Sequence, residues 1–274
     1  MKILIAADME GISGVTHWDQ VTPGHFEYPR YRQIMTEEVN AAIDGAFEGG
    51  ATEVQVTDGH ASGTNILIEA LDRRARLNAG NGSTLGMVAG VDENVDGVLF
   101  VGYHASAGSR HAILDHTWSS KTVSGVWLND TYIGETGLNA AVCGYFNVPV
   151  LLVTGDQTVC GEARYLLGDI EVAVVKQARE RMSADCLPLA VTRKMVCEAA
   201  ARAVNRLKSG QAPSPFQPDA PIHLRVELLA AEMADRAELL PNVQRLSGRG
   251  LELSAPDILS IYSSFRAIVA LARP

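Results

Sequence analysis

Short apolar runs alternate with longer stretches of helical spacing through the first two thirds of the chain. Lys2–Ala7, Glu53–Thr57, Gly97–Gly102, Pro149–Thr154 and Glu171–Val175 read as strands, because each is apolar or β-branched and is bounded by polar or glycine-containing segments. Between the first two, Ile34, Val39, Ala42, Ile43 and Ala46 recur at helical spacing, so a helix is predicted over Tyr31–Phe47, ended by Gly49-Gly50. Strands that alternate with helices predict an α/β fold, with a mostly parallel sheet flanked by helices. T-V-S-G-V-W-L-N-D-T-Y-I at Thr122–Ile133 predicts a hairpin with its turn at Asn129-Asp130, expected to project from that sheet.

The pattern changes after Asp185. Val191–Leu207 is an Ala-rich helical stretch, and S-G-Q-A-P-S-P-F-Q-P-D-A-P then places four prolines in a loop or linker. Ile222–Leu229 reads as a strand, Ala230–Leu239 as a helix, Val243–Leu253 as strand-like and Pro256–Ala272 as a closing helix. This order predicts a metal-binding catalytic α/β domain over residues 1–185 and a smaller α+β domain over 186–274.

Composition narrows the function. The 274 residues are 47% hydrophobic and 20% charged, which excludes a disordered or fibrous chain. A net charge of −9 argues against nucleic acid as a partner, since a phosphate backbone needs a basic surface. No run approaches the ~18 apolar residues of a membrane helix, and the apolar stretch between Lys2 and Asp8 is too short for a signal peptide. Cys143, Cys160, Cys186 and Cys197 form no C-x-x-C pair, so reduced thiols and a cytoplasmic location are expected.

Candidate chemistry stands where the strands end. Asp8 and Glu10 follow the first, Asp58 and His60 the second, and His104 the third. In an open α/β sheet the carboxyl ends of strands line the ligand crevice. Several carboxylates in such a crevice repel one another unless a cation or buried base neutralises them. Aspartate, glutamate and histidine together suit zinc, whereas magnesium and calcium sites use oxygen almost alone. One ion takes Asp8, Glu10 and His60; His104 and Glu135, in Y-I-G-E-T-G, supply a second if Asp8 bridges. Each residue has a plainer reading too: Asp58 as a turn or cap, and single histidines as hydrogen-bonded or surface groups. His17, His25 and His223 lie away from strand ends and are expected at the surface, while His111 and His116, which flank A-I-L-D, stay open between turn and site. Trp18, Trp127 and Tyr132 read as packing, and Cys143 and Cys160 as inert thiols. G-I-S-G at Gly11–Gly14 is neither a nucleophile elbow nor a P-loop.

Taken together, D-M-E-G-I-S-G (Asp8–Gly14), T-D-G-H (Thr57–His60), G-Y-H-A (Gly102–Ala105), D-H-T (Asp115–Thr117) and G-E-T-G-L-N-A (Gly134–Ala140) resemble the zinc-dependent D-aminopeptidase family. The resemblance implies two zinc ions per subunit: Asp8 as the bridge, Glu10 and His60 on one ion, His104 and Glu135 on the other. It gives His116 a role in catalysis. It also implies a short peptide or amino-acid amide as substrate, and a ring-shaped, decameric homo-oligomer enclosing the active sites. The glycine-rich N-A-G-N-G-S-T-L-G-M-V-A-G before the third strand departs from the family pattern. Two rival readings remain. A related binuclear amidase or phosphoesterase is one, although no Arg or Lys lies in the first three motifs to meet a phosphate. The other is a non-catalytic metal or small-molecule binding protein.

Overall fold

The computed structural model describes residues 1–273. Its elements run β1 (Lys2–Ala7), α1 (Tyr28–Glu48), β2 (Glu53–Asp58), β3 (Ala75–Asn78), β4 (Gly97–Val101), β5 (Val123–Leu128), β6 (Thr131–Tyr132) and α2 (Glu135–Tyr145). They continue with β7 (Val150–Asp156), α3 (Gln157–Leu167), β8 (Glu171–Glu180), β9 (Ser183–Cys186) and α4 (Leu189–Lys208). The chain closes with β10 (Ile222–Leu228), α5 (Ala231–Ala237), β11 (Gln244–Arg245), β12 (Gly250–Ala255) and α6 (Ile258–Leu271).

A seven-stranded sheet has the order β3-β2-β1-β4-β7-β8-β9, parallel except for the edge strand β9. Both faces are covered, which is why its central strands are apolar almost throughout. In β1, Ile3 and Ile5 face a core built with α1 and α4, while Leu4 and Ala6 face a second core containing α2, α3 and α6. The strand order reverses between β1 and β4, so loops after these strands diverge and leave a crevice at their carboxyl ends.

A five-stranded antiparallel sheet, β11-β12-β10-β5-β6, closes the second core. Asn129 and Asp130 turn the predicted hairpin with φ of 45° and 64°, the left-handed values that a tight two-residue turn demands. The hairpin does not project from the parallel sheet. Val126 and Leu128 of β5 need an apolar neighbour, and β10 supplies it by pairing Val226 with Val126 and Leu224 with Leu128. This sheet therefore takes strands from both sides of residue 186, and α4, which follows that position, packs on α1. Among the described residues no helix is long and apolar enough to cross a membrane.

Candidate active site

Six buried side chains meet at the crevice: Asp8, Glu10, His60, His104, His116 and Glu135. Asp8 leaves the end of β1 still tied to β4, its amide donating to the Val101 carbonyl at 2.8 Å. Gly11 then donates to the Gly102 carbonyl at 2.8 Å, and here the two loops nearly touch. A Cβ on Gly11 would fall 1.9 Å from the Tyr103 carbonyl oxygen. Gly102 has φ +75°, and a Cβ there would lie 2.3 Å from the Asp8 carbonyl oxygen. Glycine at both positions lets the loops bearing Glu10 and His104 approach each other.

Asp8 stands between two groups. Its Oδ1 lies 3.2 Å from His60 Nδ1, and its Oδ2 lies 3.4 Å from His104 Nε2. Glu10 Oε2 is 3.1 Å from the same His60 nitrogen. On the other side, Glu135 Oε1, from the first turn of α2, is 3.1 Å from His104 Nε2 and 3.7 Å from His116 Nε2. The His104 and His116 rings stack with centroids 3.9 Å apart. Asp8, Glu10 and His60 thus form one potential ligand group, and His104, His116 and Glu135 another, with Asp8 reaching toward both.

Each histidine commits one nitrogen to a backbone carbonyl. His60 Nε2 donates to Val21 at 2.7 Å, His104 Nδ1 to Ala105 at 3.0 Å and His116 Nδ1 to Leu114 at 2.8 Å. A carbonyl only accepts, so the hydrogen is fixed there and the other nitrogen faces the carboxylates. In His60 and His104, which lie within 3.1–3.4 Å of carboxylate oxygens, that nitrogen must carry a proton or meet a cation. Without a metal the cluster takes protons: burial alone would lower His104, but Glu135 and Asp8 push it up to about 10. His60 is likewise raised well above its ordinary value, against burial, chiefly by Glu10 and Asp8. Burial would raise Glu10, yet His60 and His104 bring it down to about 2. His116 moves the other way, to about 4, because burial and then the His104 charge disfavour its protonation.

The residues fit a metal. Asp8 Oδ2 and Glu10 Oε2 are buried and accept no hydrogen bond, an expensive state that a cation between them relieves. Carbonyl-oriented imidazoles beside carboxylates are the usual surroundings of such an ion. Asp58 takes no part: it accepts from the amides of Asn65 and Ile66 at 2.5 and 2.8 Å and serves as the turn residue of its plainer reading. His17 and His25 are half exposed, and His111 and His223 are exposed. Burial pushes the Cys160 thiol up to about 12, and Cys143 is raised likewise, so neither is a ready nucleophile.

The crevice opens into a cavity of about 720 Å³. Gly80, Asn81, Thr84, Gly86 and Met87 of the glycine-rich stretch line it, as do Lys121 and residues of α6 including Arg266. The sequence pattern did not single out Lys121 or α6. Nor did it single out Lys176, whose buried ammonium donates to the carbonyls of Glu10, Ile12 and Val15 at 2.6, 2.9 and 2.8 Å. Lys176 did leave a signal, as the cation that directly follows the apolar run V-A-V-V.

Known proteins share both sequence and fold with this chain. A family model described as D-aminopeptidase, peptidase family M55, matches residues 1–267. A D-aminopeptidase of Bacillus subtilis (strain 168) is 37% identical over 276 residues, covering 99% of this chain and 98% of that protein. A solved structure, described as the Zn-dependent D-aminopeptidase DppA from Bacillus subtilis, a self-compartmentalizing protease, superposes with a TM-score of 0.94. It is 36% identical and covers 99% of this chain and 98% of its own. With motifs, fold and extent in agreement, the chain belongs to the D-aminopeptidase family.

Proposed function

We propose that the protein is a two-zinc aminopeptidase that removes N-terminal D-residues from short peptides or amides. The observation that carries this reading is the pair of buried groups, Asp8–Glu10–His60 and His104–His116–Glu135, with Asp8 between them and each of its oxygens facing a different histidine. Asp8, Glu10 and His60 would hold one ion; Asp8, His104 and Glu135 would hold the other. Bound zinc supplies Lewis acidity toward water and toward the scissile carbonyl. The chain does the rest. Burial of the six side chains excludes bulk solvent and strengthens their mutual electrostatics. His116 has Nδ1 held by the Leu114 carbonyl, which leaves Nε2 toward the site, where it would take a proton from the attacking water and return it to the leaving amine. The stereochemical preference and zinc as the metal are carried over from the relatives.

The nearness of His116 Nε2 to Glu135 and His104 favours a second reading, in which His116 is a ligand. One set of measurements separates the two. In Asp8→Ala, elemental analysis should find metal lost and activity on D-aminoacyl substrates abolished, because the proposed bridge between the two ions is removed. His116→Ala should lose about 10²–10⁴-fold in kcat while keeping its metal. Loss of metal in proportion to rate would make His116 a ligand, and activity surviving exhaustive chelation would overturn the mechanism.

A further inference from the structure

The cavity is lined by buried carboxylates and by more exposed cations. Its floor is the carboxylates of Asp8, Glu10 and Glu135, while Lys121, Arg266 and Arg273 stand among its other lining residues. Lys121 and Arg273 are exposed and Arg266 is partly buried, so these cations form the solvent-facing rim. Among the described residues none of the three pairs with a carboxylate, whereas Arg181, Arg202, Arg206, Arg245 and Arg249 each do. In a chain of net charge −9, cations left unpaired along a cleft are available to an anionic ligand.

The turn that carries Lys121 and the Arg266 guanidinium are both held in place. The Trp118 amide donates to Glu135 Oε1 at 2.7 Å, which ties the start of the Lys121 turn to the floor of the site. The turn is closed by Val123 donating to the Ser119 carbonyl at 3.0 Å and by Ser119 Oγ donating to Thr122 Oγ1 at 3.0 Å. Lys121 follows Trp118 by three residues, which limits their Cα separation to about 11 Å, the span of a short peptide. Arg266 spends Nη1 on the Ser83 and Thr84 carbonyls at 2.8 and 2.6 Å, and its guanidinium lies 5.7 Å from the centroid of the Tyr262 ring. Its Nε and Nη2 hydrogens make no bond among the described residues. They form an oriented fork of the kind that receives a carboxylate.

We propose that Lys121 and Arg266 bind the C-terminal carboxylate of the substrate. This rests on the aminopeptidase reading and narrows its substrate class to peptides of a few residues with a free C-terminal acid, at the expense of amides and long chains. With its amino end at the metal groups and its carboxylate on the basic rim, such a peptide would lie in one direction, its first peptide bond over the six buried side chains.

The test compares a D-alanyl dipeptide with its C-terminal amide on the metal-loaded protein. The parent should favour the acid by about ten- to hundredfold in kcat/KM, carried mainly by KM, since charge-assisted hydrogen bonds have that worth. Raising the ionic strength should shrink the preference. Lys121→Ala and Arg266→Met should each reduce the acid-to-amide ratio by about three- to tenfold. Lys121 is exposed, so its variant keeps the result independent of folding even if Arg266→Met lowers Tm. Equal turnover of acid and amide by the parent, or variants that slow both substrates with the ratio intact, would overturn the inference and leave the aminopeptidase reading standing. Turnover of neither substrate by the parent would overturn both.

Discussion

A histidine that has given one nitrogen to a carbonyl has only one left to titrate, and in His60 and His104 that nitrogen faces carboxylates. The consequence is a measurable dependence on pH. His104 rises from an ordinary value near 6.5 to about 10, so in metal-free protein its contribution to stability is complete below pH 6.5 and is lost as pH climbs through 10. His60 has the same sign. His116, lowered to about 4, works in the opposite sense and adds stability as pH rises from 4 to 6.5. As far as this cluster decides, chelated protein should be most stable near pH 6.5 and its Tm should fall toward pH 10. Metal-loaded protein should show a shallower fall, because a cation then stands in the proton's place. Parallel Tm profiles with and without chelator would contradict this. The residue types of the cluster were legible as chemistry at strand ends, but their roles were not equally so. Asp8 and Asp58 occupy like positions in sequence, and only the Asn65 and Ile66 amides that Asp58 receives show that it is structural.

Elements place these residues through contacts that local pattern does not encode. β1, β2 and β4 could be read from their apolar runs, whereas the switch in strand order between β1 and β4 is settled only by pairing in the folded sheet. The hairpin was legible because its turn chemistry is local, but its partner β10 lies almost a hundred residues away, and apolar complementarity selects it only in the folded chain. Lys176 of β8 shows the same limit. It reaches across to the loop after β1 and holds three carbonyls there, including that of Glu10. Lys176→Met should leave those buried carbonyls unpaired and cost about 3 kcal/mol, or roughly 6–12 °C in Tm. It should also loosen Glu10, so that elemental analysis finds metal depleted. A variant with normal Tm and full metal would show that the three bonds are dispensable.

At the scale of the molecule, the cavity is built by both sheet systems. Loops from the parallel sheet supply Asp8, Glu10, His60 and His104, and Glu135 opens α2 directly after the β5–β6 hairpin of the antiparallel sheet. α6 adds Arg266 to the wall. The C-terminal third thus completes the cleft, a role its own sequence pattern did not disclose. The single chain also leaves large apolar side chains uncovered: Phe26 is 91% exposed, Tyr165 88% and Leu239 81%. Clustered in an assembly, such side chains would bury surface that water otherwise disfavours. The motif resemblance implies a ring-shaped decamer, and these side chains are candidates for its contacts. Light scattering should then give a mass about ten times the 29.3 kDa of the chain. Enclosure also predicts selection by size: D-aminoacyl tripeptides should be cleaved, and a folded protein with a D-residue at its N-terminus should be spared. A particle of single-chain mass would remove the ring, and equal cleavage of the two substrates would mean that any assembly leaves its active sites open.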